Sequence, residues 1–224
     1  MELSETTLSV LKNFSTINSN LVMQQGNVVH TISEAKNILA RTEIPENFPQ
    51  AFGVYDLNEF LGVLNLVDIP RLTFDENSVK IGDSTGRSKV KYFFSDPEML
   101  TTPTKEVKMP EADVRFTLDN DTLNRIKRAA AALGHSEVSV SGSRDSITLT
   151  VTSSDNATAN TYSIDVEGSS NADNYNFIFN IANLKVLPGT YNVEISSKLI
   201  SKLTHSESTL TYWIALEKTS TYGE

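Results

Sequence analysis

The residues able to do acid–base, metal or nucleophilic chemistry are scattered along this chain. The three histidines, His30, His135 and His205, stand alone, with no H-x-x-x-H pair and no adjoining cluster of acids. Each reads as an ordinary loop or strand histidine rather than a ligand or general base. Asp119-Asn120-Asp121 lacks the glycine and distal glutamate of a calcium loop and reads as a helix cap. The carboxylates at Glu43/Glu46 and at Asp173 have no apolar shielding and no evident partner. Gly82-Asp83-Ser84-Thr85-Gly86-Arg87-Ser88 has the outline of a phosphate loop. It is one residue short between its glycines, carries Arg where Walker A needs Lys, and lies between two strands, so it reads as a hairpin turn. There is no G-x-S-x-G elbow and no G-x-G-x-x-G fingerprint. With no cysteine there is no thiolate nucleophile, no disulfide and no Cys-ligated metal. The expectation is no catalytic residue, no metal and no cofactor: a binding or structural role, not an enzyme.

What the sequence does arrange is positive charge on helix faces. Asp121 to Leu133 has a helical stripe of Leu123, Ile126, Ala130 and Leu133. At about 100° per residue, Arg125 and Arg128 fall opposite that stripe, and Lys127 falls at its edge, where it can snorkel. A first helix, Ser4 to about Ile17, puts Leu3, Thr7, Val10, Leu11 and Phe14 on one face and Lys12 opposite Leu11 and Phe14. A short last helix, Asn180–Leu187, carries Lys185 as its single charge and is stopped by Pro188-Gly189. Cations are normally solvated, so these faces are either plain surface or a positive face on a negative body.

That body is 224 residues long with net charge −9, 39% hydrophobic and 8% aromatic residues, enough for a core and for one or two domains. The acidic balance argues against a globally basic nucleic-acid binder. The start lacks a secretory signal, and no apolar run reaches the roughly 18–20 residues that span a bilayer, so we expect a soluble protein with no membrane contact. Pro97, Pro103 and Pro110 in Ser95–Pro110 break helix and strand alike. We place a linker at residues 97–111, between domains at 1–96 and 112–224. Both halves contain a helix, alternating strands (Val138/Val140, Ile147/Leu149/Val151, Tyr162/Ile164/Val166, Leu210/Tyr212/Ile214/Leu216) and a second helix, Tyr55–Val67 in the first half. Asp119 is placed at a helix N-cap, Gly134 just past that helix, and Gly142-Ser143-Arg144-Asp145 in a hairpin turn. Val54-Tyr55-Asp56-Leu57-Asn58 lays over Phe179-Asn180-Ile181-Ala182-Asn183. The repeated order suggests two copies of one α+β unit with its helices on one face of a sheet.

Three segments carry a family resemblance: LKNFSTINS (Leu11–Ser19), VYDLNEFLGVLNLV (Val54–Val67) and NFIFNIANLKVLPGTY (Asn176–Tyr191). They resemble the matching segments of T-even-type bacteriophage sliding clamps, the processivity factors of the phage replicative DNA polymerase. The resemblance implies a DNA-clamp fold with two similar domains, each with antiparallel sheets outside and two short helices on the inner face. It implies a closed, head-to-tail homotrimeric ring around duplex DNA. Lys12, Arg125, Arg128 and Lys185, with Lys127 a lesser candidate, are then the DNA-facing residues.

The family also implies partners: the phage DNA polymerase, a clamp loader that hydrolyses the ATP, and late-transcription factors, all in the cytoplasm of the infected bacterial host. Clamps of this kind take short hydrophobic peptides, for which Met99, Leu100, Val107, Met109, Tyr212 and Trp213, with Tyr222 nearby, are the candidate pocket. The alternative is an oligomeric structural phage protein of tail or baseplate type, also acidic, cysteine-free and β-rich.

Overall fold

A computed structural model describes residues 1–83, 85–144, 146–156 and 158–223. Ser84 of the Gly82–Ser88 turn and Asp145 of the Gly142–Asp145 turn lie outside the described residues, as do Ala157 and Glu224. The chain divides into two compact units, Met1–Lys105 and Glu106–Glu224.

In the first unit, helix α1 (Glu5–Ile17) begins where the Ser4 hydroxyl accepts from the Thr7 amide, and it buries Thr7, Val10, Leu11, Phe14 and Ile17. Strand β1 (Leu21–Met23) follows, then the hairpin β2 (Gly26–Ile32) and β3 (Ile38–Phe48), then β4 (Phe52–Val54), which pairs antiparallel with β1. Helix α2 (Leu57–Leu64) is shorter than the predicted Tyr55–Val67. Asp56 accepts from the Asn58 and Glu59 amides and so fixes its start. Three strands, β5 (Arg71–Phe74), β6 (Ser78–Gly82) and β7 (Lys89–Phe93), form an antiparallel meander, with β6 and β7 paired directly. Leu57, Phe60, Leu61 and Leu64 of α2 are buried, with Phe60 edge-on to Tyr92 at 5.1 Å, and Phe48, Phe52, Phe74 and Phe94 form a ring cluster with centroids 4.6–6.4 Å apart.

The proline-rich stretch is partly fastened to this unit. Ser95 donates its amide to the Gly53 carbonyl at 2.9 Å, a 3-10 turn spans Pro97–Met99, and the Asn18 amide donates to Thr101 O. Leu100 is only 7% exposed. The division between units therefore falls at Lys105/Glu106, with residues 95–101 packed against the first unit rather than spanning free.

The second unit starts with β8 (Val114–Leu118) and α3 (Asn120–Leu133). Asp119 accepts from the Thr122 amide at 2.7 Å, and Gly134 ends the helix in the left-handed region at φ 70°, a conformation open to glycine at little cost. Then come β9 (Glu137–Ser143), β10 (Ser146–Thr152), β11 (Tyr162–Val166), β12 (Gly168–Ser170) and β13 (Tyr175–Asn180). After them run β14 (Tyr191–Ser196), β15 (Ile200–His205), β16 (Thr211–Ala215) and β17 (Thr221–Tyr222). One sheet has the order β11-β10-β9-β13-β17, and β12-β8-β14-β15-β16 run side by side in another, all antiparallel. Leu123 and Ile126 of α3 fill the space among Phe116, Leu118, Val138, Val140, Leu149, Phe179, Leu184, Val193 and Leu203. Burying each such side chain contributes about 1.5–3 kcal/mol.

The predicted second helix, Asn180–Leu187, is not a helix. Only Ile181–Asn183 form a 3-10 turn, capped by Asn180, which accepts from the Ala182 amide. Leu184 and Val186 are buried while Lys185 between them is exposed, a period-two pattern that an α-helix cannot satisfy, and Pro188 would deny the helix a donor. The two units still share an order. In the first, β1 pairs with β4, then comes α2 and the β5–β7 meander; in the second, β9 pairs with β13, then comes the 3-10 turn and the β14–β16 meander. The caps align Asp56 with Asn180, one residue from the register that the shared asparagines suggest.

Candidate nucleic-acid interface

Each α-helix places its acids in the first turn and nothing acidic beyond it: Glu5 in α1, Glu59 in α2, Asp121 in α3. There they meet the positive end of the helix dipole. Cations come later along α1 and α3, while α2 has none. Lys12 is exposed at the middle of α1, on the side away from Leu11 and Phe14, and has no carboxylate in ion-pair range among the described residues.

Helix α3 is the richer face. The run Arg128-Ala129-Ala130-Ala131-Ala132 gives strong helix propensity with short side chains, so the cations stand clear of the surface around them. Arg125 and Arg128 are exposed, as the spacing predicts, and an open depression of about 510 Å³ on this face is lined by Asp121, Asn124, Lys127, Arg128 and Ala131. The two arginines differ. Arg125 Nε sits 2.7 Å from Asp121 Oδ2, one helical turn back, whereas Arg128 has no carboxylate in range among the described residues. Lys127 is half-buried, and burial pulls its ammonium below the usual lysine value. The i,i+4 spacing of Asp121 and Arg125, legible in the sequence, is what distinguishes the two arginines.

Lys185 does not sit on a helix. It is exposed on the extended stretch after the 3-10 turn.

Two of the candidate peptide-pocket residues, Leu100 and Tyr212, are buried. Leu100 is buried in the first unit, against Gly53. Tyr212 is 0% exposed in the second: its ring meets Tyr191 at 6.0 Å, and its oxygen accepts from the Leu187 amide. Burial pushes the hydroxyls of Tyr191 and Tyr212 far above the usual tyrosine value. Both Leu100 and Tyr212 are core residues, since alternation marks a buried strand position as readily as a docking one. Met99 is 84% exposed, and Val107, Met109, Trp213 and Tyr222 are half-exposed.

The histidines do local work. His135 Nε2 lies 2.8 Å from Asn160 O, His205 packs edge-on against Tyr191 and accepts from the Glu207 amide, and His30 is held below the usual histidine value by burial and by Arg41.

Residues 4–101 match the family model described as DNA polymerase processivity factor, and residues 115–218 match the model described as gp45 sliding clamp, C terminal. A sliding clamp of Vibrio phage KVP40 is 33% identical over 97% of this chain and 99% of its own. The chain belongs to the bacteriophage sliding-clamp family. Sliding clamps of Escherichia phage RB69 and Enterobacteria phage T4 are each 28% identical, over 99% of both chains. Among solved structures, PCNA of A. fulgidus bound to the C-terminal region of FEN-1 superposes on this clamp with TM-score 0.72 at 14% identity, covering 98% of each chain. PCNA of Thermococcus kodakaraensis gives 0.70 at 14% identity, over 94% of this chain and 95% of that one. At that identity the likeness establishes the fold alone. The clamp is therefore a DNA polymerase processivity factor in a two-unit α+β fold, and the tail- or baseplate-type reading gives way.

Proposed function

We propose that this clamp works by encircling duplex DNA as a homotrimeric ring, with Lys12, Arg125, Arg128 and Lys185 facing phosphates and Lys127 contributing less. The observation that carries this reading is the outward face of α3: exposed cations beyond the first turn, on a helix whose acids are confined to its start, in a chain of net charge −9. Contacts of this kind must be weak for the ring to move. Two unit charges at 4 Å interact by only about 1 kcal/mol in water, so contacts can exchange as DNA advances while closure of the ring holds it. Phosphates carry no sequence information directly, so no sequence preference is expected.

Ring closure has a physical motive. β7 and β11 are edge strands, each five residues long, with a row of unpaired backbone groups. A head-to-tail interface that pairs β7 of one copy with β11 of the next covers both of these edges and can close on itself.

The polymerase is tethered through an apolar peptide. With Leu100 and Tyr212 in the cores, Val107, Met109 and Trp213, all of the second unit, are the candidates left to receive it. The clamp loader supplies ATP hydrolysis, late-transcription factors dock in the same manner, and the setting is the cytoplasm of the infected host. The test is primer extension by the cognate polymerase and loader on closed circular and on short open-ended linear templates, with sedimentation of the free clamp. Topological retention predicts a trimer and long products on the circle only. Equal stimulation on both templates overturns it.

A further inference from the structure

The two edge strands carry matching patterns. On β7, Val90 and Tyr92 turn toward the core yet stay half-exposed, while Lys89, Lys91 and Phe93 point out. On β11, Tyr162, Ile164 and Val166 lie across from the buried Val151, Leu149 and Ile147 and are also half-exposed, while Ser163 and Asp165 point out. Each edge thus ends in an apolar fringe that its own unit leaves half covered. The outer faces differ in sign. Lys80 lies directly across from Lys91, a like-charge pairing that works against the meander, and Asp75 takes Lys80 at 2.8 Å. Among the described residues, Lys89 and Lys91 have no carboxylate in ion-pair range, and Asp165 and the exposed Glu167 have no cation. Asp165 accepts from the Thr148 hydroxyl at 2.7 Å.

The backbone sets a second condition. Antiparallel ladders alternate bonded and non-bonded pairs. The Phe94 amide donates to Asn77 O and the Asp83 amide to Ser88 O, so Val90 and Tyr92 bond β6. The amides and carbonyls of Lys89, Lys91 and Phe93 therefore face the open edge. In the second unit the Ile181 amide donates to Ser136 O, and the registers carry that alternation through β9 and β10 to β11. There Ile164 bonds β10, and Ser163 and Asp165 face the open edge.

On both strands, then, the residues with free backbone groups are those with outward side chains. In a parallel pair a residue bonded across the seam lies opposite one that is not, which would set Lys91 against a core-side residue. An antiparallel pair in full overlap, with Lys89 opposite Val166, fails in the same way. A shift of one residue in either direction restores the match. One shift sets Lys89 opposite Asp165 and Lys91 opposite Ser163. The other sets Lys91 opposite Asp165 and Lys89 opposite Glu167, with Val90 on Val166 and Tyr92 on Ile164, so both lysines gain an acid and the two fringes cover each other.

Resting on the ring reading above, we propose that β7 of one copy and β11 of the next pair antiparallel in this last register, selected by Lys91–Asp165 and Lys89–Glu167. The occupant of each edge is a second copy of this chain, since backbone, apolar fringe and charge are complementary at once.

The chain has no cysteine, so thiols can be placed at will. Val90→Cys/Val166→Cys sets two of them directly opposite at a non-bonded site, with Cβ atoms about 4.5 Å apart, near the reach of a disulfide. Val90→Cys/Ile164→Cys sets them on the diagonal, about 7–8 Å apart. With oxidised glutathione as oxidant, non-reducing electrophoresis should show covalent trimers at least about tenfold faster from the first pair than from the second. Separately, Lys91→Glu should weaken the subunit contact about fivefold at low salt, and adding Asp165→Lys should restore it. Parent-like thermal melting confirms that each variant folds. Faster cross-linking by the Ile164→Cys pair overturns the register, and a double reversal no better than Lys91→Glu alone overturns the Lys91–Asp165 contact. Trimers that neither pair cross-links overturn the strand pairing while the ring stands. A parent chain that sediments as a monomer removes the ring reading itself, and the register with it.

Discussion

Reversing charge on α3, Arg125→Glu with Arg128→Glu, should cripple clamp function while leaving the fold in place. On the stability side, the Arg125–Asp121 pair is lost, and Arg125→Glu sets a second carboxylate one turn from Asp121 in its place. Both residues of that pair are more than half exposed, so each effect costs only a few tenths of a kcal/mol. Arg128 has no partner to lose. Together this is at most about 1 kcal/mol against the roughly 5–15 kcal/mol of a folded domain. On the DNA side, each reversal turns an attraction of about 1 kcal/mol at 4 Å into a similar repulsion. Two positions repeated in three copies make threading a polyanion costly at low salt, and less so once the Debye length falls below about 10 Å.

The assay is single-encounter primer extension on a primed circle, at low and moderate salt, alongside sedimentation. We expect at least a tenfold drop in full-length product at low salt, with trimers intact. The pairing geometry adds a ranking. Arg125 already shares its charge with Asp121, so Arg128→Glu alone should do more harm than Arg125→Glu, and Asp121→Asn should move loading in the opposite direction. Parent-length products from intact double-variant trimers would refute the assignment of these arginines to DNA.

Two further perturbations test the first unit. In Gly53→Ala, the new Cβ would lie 2.4 Å from Ser95 O and 2.8 Å from Leu100 Cδ1, so the 95–101 segment must lift. About 1–3 kcal/mol of stability should be lost, with faster protease cleavage near Lys105; cleavage at the parent rate would show that the segment is not fastened there. Glu46 binds the start of α1, accepting from the Ser4 amide and the Thr7 hydroxyl. Burial raises its pKa, but these hydrogen bonds outweigh that and hold it below its ordinary 4.5. A lowered carboxyl stabilises the fold above its unfolded value and loses that contribution as pH falls through its folded value. Glu46→Gln should therefore cost about 1 kcal/mol near neutral pH, discounted for partial exposure, and the gap in urea midpoints should close as pH drops below 4.5. A gap independent of pH would rule out the charge as its source.

The sequence legibly encoded what short-range physics controls. Helical spacing put Arg125 and Arg128 opposite Ile126 and Ala130, Asp119 and Gly134 marked the ends of α3, and the alternation in Val138–Val151 marked paired strands. The exposed cations on α1 and α3 were readable because a helix face is fixed by a period of 3.6 residues.

Tertiary structure alone decided the rest. Asn180–Leu187 has the residues of a helix, but Leu184 and Val186 are both drawn into the core with Lys185 exposed between them, a pattern that a continuous helix cannot meet. Leu100 and Tyr212 have the residue types of a docking pocket, yet Gly53 leaves room for one and Tyr191 packs against the other. Apolar side chains announce that they will be buried. Whether their own unit or a partner buries them depends on contacts between residues far apart in the chain, which no local pattern contains.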